Sequence, residues 1–405
     1  MKILFASYWG ETAPCGVRVH YMGLAAELRH QGHQVDIITP NTVRGLRRRV
    51  LGGLQRVLAV IAGPEVAREL WYFAMLWAAV PRHGRYDLVN AHDVGSGAAV
   101  RQVLGEAVPV VVTGHASEHP AEEIIRRNNL TGTAARQIRR LYAWLLPQTQ
   151  YFIGVSDYLL NCFRPFLPDD CLTRRIYGGS SLPEPTPATE APLLRQQAGG
   201  QPVLLNVGFL DTNKNQRYLL AVARELRRLR TDFVVVLVGK GPDEAELRQL
   251  IADYDLADHV RLLGYHSQVL PLLRQATLYV HTARLESLGL ALVEAVLAGV
   301  PVLAPATGGI PEVLGATPDA LFAPATEPAV LAQRLHHLLA DPARRSELHA
   351  RQYAHATAQF TLPRMAAQTA AFYQEILALS SAPSPAHQDA PAPVLSSTHV
   401  ASPIA

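Results

Sequence analysis

The string ESLGLALVEAVLAGVPVLAPATGGIPEVLG, from Glu286 to Gly315, holds two carboxylates eight residues apart, Glu286 and Glu294. The apolar run LYVHT before it reads as a strand ending near Thr282. A loop with Arg284 and Glu286 follows, and a helix is expected to begin around Ser287 to Gly289. Ligands of open parallel sheets gather at the carboxyl ends of strands. The free amides of such a helix start, near Leu288, Gly289 and Leu290, suit a phosphate. At 1.5 Å per residue Glu294 lies about 12 Å further along the axis, so the two carboxylates bracket those amides. Acceptors flanking an anion hole match a ligand with a charged centre and hydroxyl-rich ends, the polarity pattern of a nucleoside diphosphate-sugar. The plainer alternative makes Glu294 an ordinary helix residue and Glu286 a helix-dipole partner.

A cation for that ligand is available in Lys214. Of the 37 basic residues only three are lysines, and two of these, Lys214 and Lys240, fall in glycine-marked turns of the second half. A compact ammonium suits phosphate as a point charge, whereas arginine supplies the surface charge here. The triplet Asp253-Tyr254-Asp255 has the form of a metal-diphosphate clamp. It follows the amphipathic run EAELRQLIADY, however, and reads as a solvent-facing helix end rather than a metal site.

Apolar β-branched runs alternate with helical patterns throughout. KILFAS, VDIIT, LVNAH, VVVTGH and YFIGVS in the first half, and VLLNVG, FVVVLVG, VRLLG, LYVHT and VPVLAP in the second, predict two parallel sheets with crossover helices. Pro183, Pro185, Pro187 and Pro192 mark a linker between a first domain, 1–185, and a second, 186–380. The Ala, Pro and Ser composition of 381–405 predicts a disordered tail.

The chain has 405 residues, enough for two α/β domains, and its three cysteines suggest neither a disulfide framework nor a zinc site. The start MKILFASYWG lacks the features of a signal peptide, and no export is expected. The apolar window Leu70 to Val80 is too short to span a bilayer and reads as a buried helix. The net charge of +3 is unevenly placed, with residues 1–180 basic and the remainder acidic. Nothing points to a nucleic-acid partner.

The Glu286–Glu294 string closely resembles the Glu-x7-Glu motif of the retaining enzymes grouped as glycosyltransferase family 4, and GGIPE, Gly308 to Glu312, continues the likeness. NVGFLDTNKNQRYLL is similar to the family's strand-loop-helix that delivers a lysine, here Lys214, to the donor diphosphate. CGVRVHYMGLAAELRHQGHQVDIIT resembles its first loop and helix, with Gly16 where backbone approaches phosphate. The likeness extends over most of residues 1–380. It implies an α/β GT-B fold of two Rossmann-like domains facing across a cleft, the first binding acceptor and the second the nucleotide sugar. A terminal helical segment near Arg364 to Ala378 would pack back on the first domain. It further implies sugar transfer to a hydroxyl with retention of configuration, with no cofactor or metal. Lys214 and the amides would hold the diphosphate, Glu286 the sugar and Glu294 the ribose, while His115 would face the transferred sugar. His92, Asp93, Glu118 and His119 are weaker candidates around the acceptor.

One position departs from the pattern. The members it resembles commonly have Arg directly after the glycine of the NVG strand, where this chain has Phe209, so the resemblance implies a phosphate contact that is missing or comes from elsewhere, with Arg284 and Arg217 as candidates. The departure keeps open a catalytically silent sugar-nucleotide-binding subunit, and the architecture also serves epimerases and phosphorylases. The basic segment Arg44 to Arg56 either faces water as an ordinary helix or lies on anionic lipid. The second option gives a lipid-linked rather than a free carbohydrate acceptor and a peripheral place at the inner membrane face of a cytoplasmic protein. Gly45, Gly52, Gly53 and Pro64 are expected to weaken any long continuous helix there.

Overall fold

The computed structural model describes residues 1–182 and 198–381 except 14, 83, 84 and 316, together with 194 and 196. The proline-rich linker and the Ala/Pro/Ser tail beyond 381 lie outside the described residues.

Two six-stranded sheets, parallel throughout, form the frame. The first is made of β1 (Lys2–Ala6), β2 (Gln34–Ile38), β3 (Leu88–Ala91), β4 (Val110–Gly114), β5 (Tyr151–Gly154) and β6 (Leu172–Arg175), in the order β2-β1-β3-β4-β5-β6. The second is made of β7 (Val203–Val207), β8 (Val234–Val238), β9 (Val260–Gly264), β10 (Leu278–Val280), β11 (Val302–Pro305) and β12 (Leu321–Phe322), in the order β12-β11-β10-β7-β8-β9. Helices cover both faces, so central strands are buried on both sides and read as unbroken apolar runs, as in VVVLV of β8. The ten runs singled out in the sequence all become strands. The edge strands β6 and β12 escaped notice because a polar run, LTRR, and a two-residue run, LF, carry no apolar period.

The helices of the first half are α1 (Gly16–His30), α2 (Gly45–Ala62), α3 (Pro64–Ala79), α4 (Val94–Leu104), α5 (Pro120–Arg127), α6 (Gly132–Leu145) and α7 (Asp157–Phe163). Those of the second are α8 (Gln216–Arg227), α9 (Glu244–Asp253), α10 (Leu270–Leu273), α11 (Leu290–Leu297), α12 (Ile310–Leu314), α13 (Pro328–Ala340), α14 (Pro342–Gln359) and α15 (Leu362–Ser381).

One sequence reading is corrected here, the burial of the window 70–80. Helix α2 opens at Gly45 and runs through Gly52 and Gly53 for 18 residues along α3, and the helical stretch breaks at Gly63 and Pro64. Gly63, at φ +87°, turns the chain, and Pro64 opens α3 at the position where a missing N–H costs nothing. The apolar window 70–80 is buried on one face only: Met75 and Leu76 are fully buried, while Trp77 is 42% exposed.

The chain crosses between the two sheets twice, side by side. Ser180 N donates to Phe360 O (2.9 Å) and Leu362 N to Ser180 O (3.0 Å). Helix α15 then lies against α1, with Met365, Phe372, Tyr373 and Ile376 joining the core of Ile3, Phe5, Tyr21 and Leu24. Asn90 Nδ2 donates to the buried Tyr373 hydroxyl (2.5 Å), and Arg174 pairs with Glu375 (2.6 Å). Replacing Tyr373 by Phe leaves the Asn90 amide N–H buried and unpartnered. The expected loss is about 1 to 3 kcal/mol of unfolding free energy, read as a lower midpoint in chemical denaturation with no change in slope.

Candidate active site

In each sheet strand order reverses at one point, between β1 and β3 in the first and between β7 and β10 in the second, and the loops leaving those strands open a crevice. Lys214 follows β7, while His281 and Glu286 follow β10. Gly16 follows β1 and His92 follows β3. Lys214, Glu286 and Gly16, all expected at the donor, therefore fall at the topological switch points.

Glu286 is the buried centre of the second crevice, 8% exposed. Its Oε1 pairs with the Lys214 ammonium and accepts from His281 Nε2 at 3.0 Å. Burial alone raises this carboxyl, but the Lys214 charge and the His281 hydrogen bond outweigh it and hold the group down at about 2. Burial also lowers the basicity of His281, so the imidazole is a neutral donor to a permanent carboxylate. The Lys214 loop is tied to the same strand end. Lys214 N donates to Asp211 Oδ1 (2.8 Å), Thr282 Oγ1 to Lys214 O (2.8 Å) and Arg284 N to Asn213 O (2.7 Å). The lysine stem passes over Gly208, where a Cβ would stand 3.5 Å from Lys214 Cγ.

Two glycines of GGIPE fit against the carboxylate's own backbone. Gly309 N donates to Glu286 O (2.9 Å), and Gly308, at φ +56°, has its Cβ position only 2.1 Å from that same carbonyl. Helix α11 begins at Leu290 behind Gly289, whose φ of +90° suits glycine. Glu294, in the middle of that helix, accepts no hydrogen bond from any described residue, and burial raises its carboxyl to about 7.

The first domain closes on this loop. Gly16 lies against Leu290, its Cβ position 3.9 Å from Leu290 Cδ1, and Gly178 lies against Leu288. Ser287 Oγ donates to His115 O (3.1 Å). Ser156 Oγ donates to Ser287 O (2.5 Å) while accepting from Leu159 N at the start of α7. Glu312 spans the cleft, its two oxygens accepting from Asp157 N and Tyr158 N at 2.8 Å each. These serines, Glu312 and His281 were not singled out for a role. Only the position of His281 at the end of LYVHT, beside a reversal of strand order, signals it.

His115 is joined by two histidines from distant segments. His92 Nδ1 and His115 Nε2 are 3.3 Å apart, and the His20 ring stands edge-on to His115 at 4.7 Å between centroids. Burial lowers the basicity of all three, His20 to about 4, and the neighbouring histidines push His92 and His115 the same way, so the three imidazoles are neutral. His92 Nε2 is buried without a partner. Among the described residues this trio is the one group of three possible metal ligands with ligand atoms within 4.8 Å of one another.

Other candidates have local work. Asp93 caps α4, accepting from Ser96 N (2.6 Å) and Tyr8 N (3.1 Å). His119 caps α5 and Glu118 pairs with Arg126. Asp253 accepts from Gln249 and Asp255 pairs with Arg227, at the end of α9. Arg217 is engaged by Asp243 and Glu246. The Arg284 side chain is exposed and lines a small cavity of about 70 Å³ with Asn215, Tyr218 and Phe322, while its backbone belongs to the Glu286 loop.

Glu294 gives a signed pH test. Its carboxyl stands at about 7 in the folded chain against an ordinary 4.5, so between these values the unfolded chain sheds a proton that the folded chain keeps. Stability is lost as pH rises through that window and stays lost above it. Glu294→Gln should therefore gain on wild type in melting temperature from pH 4.5 to 7 and hold that gain at pH 8. An equal offset at all three would show that burial does not act on this carboxyl.

The architecture and loops have close counterparts. Residues 14–179 match the family model for Glycosyltransferase Family 4 and residues 195–356 that for Glycosyl transferases group 1. The chain is 28% identical over 305 residues to alpha-D-kanosaminyltransferase of Streptomyces kanamyceticus, covering 71% of this chain and 77% of that one. It is 28% identical over 399 residues to D-inositol 3-phosphate glycosyltransferase of Streptomyces bingchenggensis, covering 89% and 85%. Among solved structures, Anabaena HepE in complex with UDP-glucose superposes with a TM-score of 0.69 at 21% identity, covering 93% of this chain and 100% of that one. WaaG, a glycosyltransferase of lipopolysaccharide biosynthesis, superposes at 0.68 with 18% identity, covering 92% and 99%. Two Rossmann-like sheets, facing switch points and two matching family models establish that this chain belongs to glycosyltransferase family 4, on the GT-B architecture.

Proposed function

We propose that the protein transfers a sugar from a nucleoside diphosphate-sugar to an acceptor hydroxyl with retention of anomeric configuration. The single observation that carries this is the buried Glu286–Lys214 contact pair. An ammonium and a permanent carboxylate side by side suit the junction of an anionic diphosphate and a neutral sugar, Lys214 taking a phosphate oxygen and Glu286 a sugar hydroxyl. Glu294 receives the ribose, and binding there favours its ionised form because hydroxyl donors stabilise the carboxylate. Lys214 and the amides at the start of α11 stabilise the charge that develops on the departing diphosphate. The acceptor oxygen bonds to the anomeric carbon as the bond to the phosphate oxygen breaks, and the acceptor's proton passes to that leaving oxygen on the same face. His115, held by Ser287 and His92, lies on the first domain's side of the cleft, towards the transferred sugar. With Lys214 and the amides carrying the phosphate charge, turnover continues in excess chelator.

Activity of single variants tests the assignment. Glu294→Ala should raise the KM for donor, and Glu286→Ala should mainly lower kcat, each by about 1.5 to 3 kcal/mol of lost interaction with a charged group. Full activity of both, with limiting and saturating donor in EDTA, would remove the central assignment.

The acceptor reading rests on α2. None of its 18 residues is buried, and Leu46, Val50, Leu54, Val57 and Ile61, spaced at helical intervals, are 52–76% exposed. Arg44, Arg47, Arg48, Arg49 and Arg56 accompany them. No described helix is long and apolar enough to cross a membrane. An exposed apolar stripe beside arginines suits the surface of an anionic bilayer and supports the reading of a lipid-linked glycan as acceptor. Co-sedimentation with anionic vesicles at low salt, reduced by salt and by replacing Arg47, Arg48 and Arg49 with Ser at unchanged donor affinity, is the expected result. Equal recovery with neutral and anionic vesicles would favour a soluble acceptor.

A further inference from the structure

We propose that Arg127, carried by the first domain, supplies to the donor diphosphate the cation that Phe209 leaves out of the second. The inference rests on the nucleotide-sugar reading above and identifies which residue completes that site.

Phe209 follows Gly208 at the end of β7, five residues before Lys214, and the Lys214 stem passes over Gly208. Its ring is not left to solvent alone: the Arg127 guanidinium lies over it, 5.9 Å from the ring centroid, reaching across from the last turn of α5. The same guanidinium acts electrostatically on the Cys15 thiol, next to Gly16, and Gly16 in turn lies against Leu290 at the start of α11. Arg127 is thus placed between the glycine loop of one domain and the lysine loop of the other. Those are the two walls between which a diphosphate would lie.

Its guanidinium also sits at ion-pair distance from no carboxylate among the described residues, although the Glu123 carboxyl feels its charge. Neighbouring arginines are neutralised, Arg126 by Glu118 and Arg139 by Glu122, and Arg217 is held by Asp243 and Glu246. Arg127 makes no ion pair with a described residue. Glu123, one turn back, is directed to Ser117 N (2.7 Å). An exposed arginine on an aromatic face, with all its donors available, is a fork for phosphate oxygens. An arginine on the facing domain places the charge where closure of the cleft, not binding to one domain, brings it to the ligand. His115 precedes the same helix, so the loop that presents a histidine to the sugar and the helix that presents an arginine to the phosphates move together.

A purely structural Arg127, capping the C-terminal dipole of α5 or packing on Phe209, would give a different result. The test is calorimetric titration of uridine, guanosine and adenosine diphosphates, and of the matching nucleosides, into wild type, Arg127→Gln, Arg127→Lys and the double variant Arg127→Gln/Phe209→Arg. For the diphosphate that wild type binds, Arg127→Gln should weaken affinity about 10- to 100-fold, the range for a lost hydrogen bond to a charged group, with the nucleoside's affinity unchanged. Arg127→Lys should lie between, and Phe209→Arg should restore affinity in the Arg127→Gln background. Equal diphosphate affinity in wild type and Arg127→Gln would overturn the proposal while leaving the donor site standing. Parallel losses for diphosphate and nucleoside would also overturn it, marking Arg127 as structural. No binding of any diphosphate to wild type would instead defeat the donor reading and this inference with it.

Discussion

The cleft is organised around one buried carboxylate. Removing Glu286 from water is expensive, and a charge in such a place persists only when it is paired and fully hydrogen-bonded. Lys214 and His281 meet that requirement from two different strand ends, and Gly309 N satisfies the backbone carbonyl of the same residue. Because Lys214 reaches Glu286 only if its loop is pinned to Thr282 and Arg284, the pair fixes the loops after β7 and β10 relative to each other. The constraint extends to glycine: Gly308 and Gly309 let the chain after β11 approach the Glu286 loop closer than any Cβ would permit.

From that centre the contact passes to the other domain through Ser287, which receives Ser156 and reaches the His115 carbonyl, and through Glu312, which serves the first amides of α7. These hydrogen bonds sit beside apolar contacts of Leu288 with Gly178 and of Leu290 with Gly16, and the buried hydrophobic residues of the two domains belong to one cluster. The two crossing segments at Ser180 and Phe360 to Leu362, and α15 packed on α1, tie the domains together outside the cleft. A donor bound between the Gly16 loop and α11 would therefore touch both halves, and its binding free energy is available to favour the closed arrangement.

The surface carries a second division of labour. The crevice is built of short polar contacts, whereas α2 stands outside any core with its apolar stripe and arginines together. A contiguous exposed apolar patch of this kind marks an interaction surface on a folded chain. Helices α2 and α3 are inserted between β2 and β3, so that face belongs to the first domain.

Much of this was legible in the sequence. Ten of the twelve strands announce themselves because buried parallel strands must be apolar at every position. Glu286, Glu294 and Lys214 are found by residue type beside a strand end or helix start, and Gly16 by the family resemblance of the first loop. The edge strands, the continuity of α2 through Gly52 and Gly53, and the one-sided burial of Leu70 to Val80 were decided by packing against α3 and the sheet, which outweighs local propensity. What no spacing could give is the meeting of distant segments. His20, His92 and His115 come together because β1, β3 and β4 are neighbours in the sheet, and Glu312 reaches α7 across 154 residues because the domains face each other. That Lys214 and Glu286, both expected on the ligand, bind one another, and that Arg127 rather than Arg217 or Arg284 stands over Phe209, follow from strand order and domain placement. Local sequence fixes which groups can do chemistry; the three-dimensional closure of the chain fixes which of them are near enough to do it together.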